Sequence, residues 1–248
     1  MGEHTIREVL KRRSDDTQRV IRRRRERATK KSTAKRKSYG VLIVLMAIVL
    51  VIIAALGYAG WLTHQVDNRF TADRTANALG HNRVTLNLQT TTQFLPNTLL
   101  AAMDPNFYNN SNITLSPLTS RLVRIYFPDG SAPSTAIMSV ALQLRYSRTD
   151  LLEAFINDVN LGRRNGQLIS GFAAASLAYF KKPFVQLQPQ DIALLVALAA
   201  DPRDFRQLEN RDKILALRNA VLQMDAQQSV LSQTQVDALK KSPLDLAP

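Results

Sequence analysis

Arg145-Tyr146-Ser147-Arg148-Thr149-Asp150-Leu151-Leu152-Glu153-Ala154-Phe155-Ile156-Asn157 is the stretch that decides the fold. Leu151, Leu152, Phe155, Ile156 and, just beyond, Val159 recur at i, i+1, i+4, i+5 and i+8. That is the spacing of one buried helix face, not of a strand. Ser147 and Asp150 form a capping pair ahead of it. The hydroxyl takes up an orphan amide, and a carboxylate three residues on stands in for the usual Glu or Gln. The spacing predicts a helix from Ser147 to about Asn160.

The same period extends in both directions. Upstream, Pro96-Asn97-Thr98 opens an apolar run through Met103. Downstream, Gly171 to Phe180 is rich in alanine and aromatics, suited to a closely packed internal helix. Pro189 stands at a first helical position before Asp191 to Ala200, and Pro202 follows its end. Arg211 to Met224 is amphipathic through Ile214, Leu215, Leu217, Val221 and Leu222, and a last short helix runs from about Ser232 to Lys241. No alternating strand pattern stands out, so the expected fold class is mainly α.

Charge and hydropathy divide the 248 residues into four parts. Residues 1–38 hold 15 Lys/Arg against 5 Asp/Glu, a net +10 of the chain's +13, with Arg22-Arg23-Arg24-Arg25 the densest run. This basic tail has no aromatic residue before Tyr39 and no visible binding fold, which argues against nucleic acid as a partner. Val41 to Leu62 carries no charge. Its 22 residues span roughly 33 Å as a helix, enough for a hydrocarbon core of ~30 Å. The apolar region of a cleaved signal peptide would be only ~7–15 residues. We therefore read 39–62 as a transmembrane helix, with Tyr39, Tyr58 and Trp61 as interfacial anchors. Lys30, Lys31, Lys35, Arg36 and Lys37 before it place the N-terminus in the cytoplasm by the positive-inside rule. Residues 63–92, polar and without proline, read as a stalk, and 93–245 as the exterior domain. The absence of cysteine rules out disulfide and thiol chemistry. His4, His64 and His81 have no metal-ligand spacing, so neither metal nor cofactor is expected.

The ordered motifs of the exterior domain resemble the family 51 peptidoglycan glycosyltransferases, the lysozyme-like transglycosylase domains of class A penicillin-binding proteins and monofunctional transglycosylases. The deciding stretch is similar to the family's Arg-Tyr-Ser-Lys-x-x-Ile-Leu-Glu-x-Tyr-(Leu/Met)-Asn. Gly171-Phe172, Ala174 and Tyr179-Phe180-Lys181-Lys182 then resemble Gly-(Ile/Phe)…Ala-x-x-Tyr-Phe-Gly-(Lys/Arg). Leu187, Ala193-Leu194-Leu195 and Arg218-Asn219-x-Val221-Leu222 follow the family's series in order. The resemblance covers about 94–244 and makes Lys182 a candidate phosphate contact, with a plain exposed lysine as the alternative; Glu153, which matches a family glutamate, reads as a structural acid paired with a nearby base.

The family's catalytic positions depart from the pattern. Its first motif, Glu-Asp-x-x-Phe-(Phe/Tyr)-x-His-x-Gly, is met here by Asp104, Phe107 and Tyr108, while Met103, Asn110 and Asn112 replace the Glu, His and Gly. Phe107 is thereby a candidate substrate contact. The second family glutamate falls at Thr135, counting back from Tyr146, and no glutamate lies between Glu26 and Glu153. Only 33 residues separate Ile113 from Ser147, too few for the family's Gln-Gln and basic stretches. A thioether cannot act as a base, and a positioned base contributes ~10²–10⁴-fold. Asp104 is the one candidate substitute, a residue out of register and a methylene shorter than Glu. Lys181 replaces a Gly and disfavours a tight turn there. Pro117 to Phe127 is apolar with two arginines, in a region that forms a membrane-facing lobe in the family.

These readings lead us to expect a single-pass inner-membrane protein with a catalytically degenerate domain in the periplasm, serving as scaffold or regulator in cell-wall synthesis. Its expected partners are membrane lipids, through 39–62 and the basic tail, envelope or wall-synthesis proteins, and the lipid-linked peptidoglycan precursor. Two alternatives stay open: a residual or rewired glycosyltransferase using Asp104, and a structural component of another envelope complex such as a secretion machine.

Overall fold

Nine consecutive residues, Asp191 to Ala199, are buried. A helix hidden on every side must be the centre of its domain. In the computed structural model these residues belong to the helix Pro189–Ala200. The structure describes residues 42–71, 84–109, 116–128, 135–164, 166–200 and 210–247. The described elements are α1 (Leu42–Thr71), α2 (Phe94–Met103), α3 (Pro117–Tyr126), α4 (Thr135–Arg145) and α5 (Arg148–Asp158). The strands β1 (Asn160–Arg164) and β2 (Gln167–Ser170) follow, then α6 (Phe172–Phe180), a 3-10 turn (Phe184–Gln186), α7 (Pro189–Ala200), α8 (Arg211–Gln227) and α9 (Gln233–Lys240). The fold is mainly helical. Around α7 pack α2, α8, α9 and β1, while α3 packs on α4 and α5.

The chain divides into two units, 1–60 and 61–248. In the first, the described residues are the apolar part of α1, a helix long and apolar enough by length and composition to cross a membrane. The basic tail lies outside the described residues, as do His4, His81, Asn110, Asn112 and Pro202. In the second unit, the stretch expected as a stalk contributes to the core. Val66 and Phe70, with Leu62 before them, are buried at four-residue intervals on one helix face. Phe70 stacks on Tyr146, with ring centroids 4.2 Å apart, and meets Tyr126 edge-on at 5.2 Å. Asp67 accepts from Tyr146 Oη at 2.7 Å. Leu86 is held through both its backbone groups by the Asn157 side chain, each bond 2.8 Å. Polar composition disguised these anchors, because only one residue in four faces inward.

Capping follows the sequence. Ser147 accepts from the Asp150 amide at 3.1 Å and its hydroxyl donates to the Asp150 carboxylate at 2.6 Å. Ser232 and Gln235 make a capping box for α9. Pro189 is the first residue of α7. Arg218, fully buried in α8, donates to the Ser242 and Lys240 carbonyls at 2.8 and 2.9 Å. Helix α9 leaves carbonyls without intrahelical partners at its end, and the guanidinium satisfies one of them.

The antiparallel hairpin was not expected. Arg163 pairs with Leu168 and Arg164 with Gln167, with an irregularity between Asn160 and Arg163 around Gly162 at φ 109°. In these short strands few side chains are buried, so alternation cannot show. The overlooked signal was Asn165-Gly166, the dipeptide most typical of tight hairpins. Gly166 has φ 79°. The hairpin ends on Gly171, whose amide donates to Val159 O at 2.8 Å.

Candidate functional site

The end of α2 begins the stretch that resembles the family's first motif. Met103 is its last residue, half-buried against the core. Asp104 ends the helix at φ −156°, ψ 70°, its amide bonded to Leu100 O at 2.9 Å. This turn takes the Asp104 side chain inward. It is 4% exposed and accepts the Ser116 hydroxyl at 2.5 Å. Ser116 in turn caps α3 by accepting from the Thr119 amide at 3.2 Å. The Thr119 hydroxyl meets that of Ser139, and Gln143 Nε2 donates to Thr119 at 3.3 Å. Asp104, Ser116, Thr119 and Ser139 are all buried. They join α2, α3 and α4 in one buried polar chain. A buried carboxylate held this way satisfies its partners and presents nothing to a ligand.

The other singled-out residues do not gather here. Phe107, the candidate substrate contact, is 1% exposed and is therefore a core residue. The Arg148 guanidinium covers its ring at 5.5 Å and donates to its carbonyl. Thr135 begins α4 and is half-buried. Glu153 accepts from the Leu88 amide at 3.2 Å, so its role includes tying the stretch before α2 to α5. Lys182, the candidate phosphate contact, donates to Asp245, a bond that raises its pKa above the ordinary lysine value. Lys181 does occupy a tight turn. It caps α6 in the left-handed conformation, φ 55° and ψ 26°, because the chain must reverse there whatever the residue.

A cleft of about 640 Å³ lies elsewhere, between the second half of α3, α5, the hairpin and the end of α7. Its polar lining comes from Arg121, Arg124, Asp158, Asn160 and Ser170, and its apolar lining includes Ile125, Phe155 and Leu168. None of Met103, Asp104, Phe107, Thr135 and Lys182 lines it. The arginines come from the apolar stretch that the sequence marked by its two cations. Leu118, Leu122, Val123 and Tyr126 of that helix are buried, which leaves Arg124 outward. Arg121 Nη1 donates to Ala199 O at 3.0 Å and Tyr126 Oη donates to Asp158 at 2.7 Å. Size and mixed lining suit a ligand cleft, for which ~300–1,000 Å³ is usual.

Residues 116–225 match the model of the Transglycosylase family. The match includes Thr135, Lys182 and the cleft, and begins after Met103, Asp104 and Phe107. Penicillin-binding protein 1B of Escherichia coli is 31% identical over 179 residues, covering 62% of this chain and 21% of that protein. Its counterpart in Haemophilus influenzae is 27% identical over 188 residues, covering 66% and 24%. This chain thus spans about a fifth to a quarter of these relatives' length. A crystal structure of penicillin-binding protein 1A from Haemophilus influenzae covers 67% of this chain and 18% of its own, at 20% identity and a TM-score of 0.44.

Proposed function

We propose that this chain, the carrier of a transglycosylase-family domain, is a non-enzymatic scaffold or regulator in cell-wall synthesis. It sits in the inner membrane with its N-terminus in the cytoplasm and its domain in the periplasm. The observation that carries the reading is the closed network at the end of α2. The one acid of the first motif, Asp104, is buried and committed to Ser116, and the neighbouring position is Met103. With Thr135 at the second glutamate position, no glutamate between Glu26 and Glu153 stands in for either family carboxylate. Loss of a general base alone removes ~10²–10⁴-fold in rate. Loss of charge stabilisation at the leaving group removes about as much again. The relatives named penicillin-binding protein 1B support the setting in wall synthesis, and the apolar helix α1 supports the anchor. Wall-synthesis proteins, membrane lipids and the lipid-linked precursor are the proposed partners.

The full chain, incubated with lipid-linked disaccharide precursor, is expected to form no glycan polymer. Polymer made by the unaltered chain and lost in Asp104→Asn, with helical circular dichroism unchanged, would establish the rewired enzyme instead. Crosslinking from the exterior domain in cells is expected to recover wall-synthesis proteins. Recovery of secretion subunits alone would move the domain to another envelope complex.

A further inference from the structure

The segment after α9 is built unlike the helices before it. Helix α9 stops at Lys240, and Pro243, which has no amide hydrogen, cannot extend it. The fully buried Arg218 holds the carbonyls of Lys240 and Ser242. From Pro243 to Ala247 the chain is extended, with Leu244 and Leu246 half-buried against the core and Pro243 and Asp245 exposed. This alternation is that of an extended segment laid on an apolar surface. It joins no sheet among the described residues. It lies instead at the end of α6, where the Ala247 amide donates to Tyr179 O at 2.8 Å and Lys182 donates to Asp245. Tyr179 O is among the last four carbonyls of α6, which have no partner in the helical ladder. A backbone acceptor, an apolar surface and a cation thus form a seat for an extended segment, with the exposed Lys181 next to that cation.

We infer that residues 242–247 are a releasable strap, and that the seat they cover is a docking site for an extended segment of a partner protein in which two apolar residues flank an acid. The strap is weakly held. Its ion pair joins side chains that are 38% and 62% exposed, where such pairs contribute little and are screened by salt. Among the described residues the backbone of 243–246 makes no hydrogen bond, so the Ala247 amide is the main-chain tie to α6. A segment with so few buried contacts opens at small free-energy cost. Arg218 keeps Ser242 and α9 in place during opening, which makes Pro243 the hinge. The chemistry of the partner follows from the seat. Tyr179 O takes a main-chain amide, Lys182 takes a carboxylate, and the apolar surface takes alternate side chains. A partner segment with bulkier apolar residues, or a second acid for Lys181, makes contacts that the strap lacks. It displaces the strap against a tether equivalent to an effective concentration on the order of 1 mM. The inference is independent of catalysis: polymer formation would overturn the proposed function and leave this seat standing.

The test uses the full chain in non-ionic detergent and a synthetic copy of Ser242–Ala247, acetylated and amidated so that its aspartate is its one carboxylate. A water-soluble carbodiimide condenses that carboxylate with any lysine amine it rests against, with loss of water, and mass spectrometry locates the new amide bond. Coupling at Lys182 is expected to rise about tenfold when the strap is weakened by Leu244→Ser, Asp245→Asn and Leu246→Ser together, while coupling at the exposed Lys213 stays constant. A peptide with both leucines replaced by serine is expected to couple to Lys182 about tenfold less. Hydrogen exchange on the unaltered chain tests the same point without the variant. The Ala247 amide is expected to exchange about tenfold faster than the inner amides of α9, and faster still in molar salt. Equal coupling of the two peptides, equal coupling to the unaltered and weakened chains, or an Ala247 amide as protected as α9 each overturns the inference.

Discussion

Buried polar groups are used in two different ways in this domain. From α5 onward they join a side chain to the backbone of another element. Asn157 holds Leu86, Tyr179 Oη donates to Leu161 O at 2.6 Å, and Arg218 closes the end of α9. Between α2 and α4 they join side chains to one another, through Asp104, Ser116, Thr119 and Ser139. The first kind is demanded by the fold, since a buried carbonyl or amide left alone costs ~1–3 kcal/mol. The second kind binds three helices together through the Asp104 carboxylate and the hydroxyls of Ser116, Thr119 and Ser139, which ties this region to the stability of the domain.

The largest expected effect comes from the backbone-locked half. Gly171 has φ 82° and ψ 154°, a conformation nearly exclusive to glycine. A Cβ there would overlap Asn157 O and stand 2.9 Å from its carbonyl carbon. These are backbone atoms of α5, which is pinned at both ends. Gly171→Ala is expected to cost roughly 3 kcal/mol or more, strain and overlap together. Urea denaturation of the domain measures it. A loss under 1 kcal/mol would mean that this half is as yielding as the region before it, and the contrast would fail.

Asp225 joins the two regions and responds to pH. It is fully buried on α8, accepts from Thr98 Oγ1 of α2 at 3.1 Å, and its Oδ1 has no partner. Burial raises its pKa from the ordinary 3.8 to about 6, against the lowering effect of the Thr98 bond. The folded state therefore holds a proton that the unfolded chain releases between these values. Its contribution to stability is full below pH 3.8 and is lost as pH rises to about 6. The difference is about 1–3 kcal/mol. Asp225→Asn is expected to remove this slope and to raise stability above pH 6 by about 1–2 kcal/mol. Thermal melts of both forms from pH 4 to 8 show whether the curves converge at low pH. Parallel curves would place the titrating group elsewhere.

The sequence spoke clearly where a helix buries one face or begins at a cap, and weakly where burial is sparse. Helices α5, α7, α8 and α9 were legible from Phe155, Pro189, Val221 and Ser232 and their periodic neighbours. The packing of Val66 and Phe70 was hidden because three polar residues separate each inward position. Met103 is legible as a departure and Asp104 as a match, but the inward turn of Asp104 depends on its φ and ψ, and its partner Ser116 is twelve residues away. Phe107 and Lys182 were marked by resemblance, and the structure gives them an arginine and an aspartate as partners. The cleft was visible only as two arginines in an apolar stretch, because Asp158, Asn160 and Ser170 meet them through tertiary packing.

Lys181 gives the smallest effect and the finest test of how far the locked half is optimised. A non-glycine residue in the left-handed region is strained by roughly 1 kcal/mol, yet α6 ends there with Lys181 at φ 55°. The neighbouring Lys182–Asp245 pair and the Ala247 amide, bonded to Tyr179 O at 2.8 Å, hold the C-terminal segment against the same turn. If these contacts fix the turn, the strain is carried by the folded state and glycine relieves it. Lys181→Gly is then expected to stabilise by about 0.5–1 kcal/mol, after the entropy that glycine adds to the unfolded chain. A destabilisation would show that the Lys181 side chain contributes more than its backbone costs. The turn would then belong with the side-chain-locked region, and the boundary between the two regions would have to be drawn after α6.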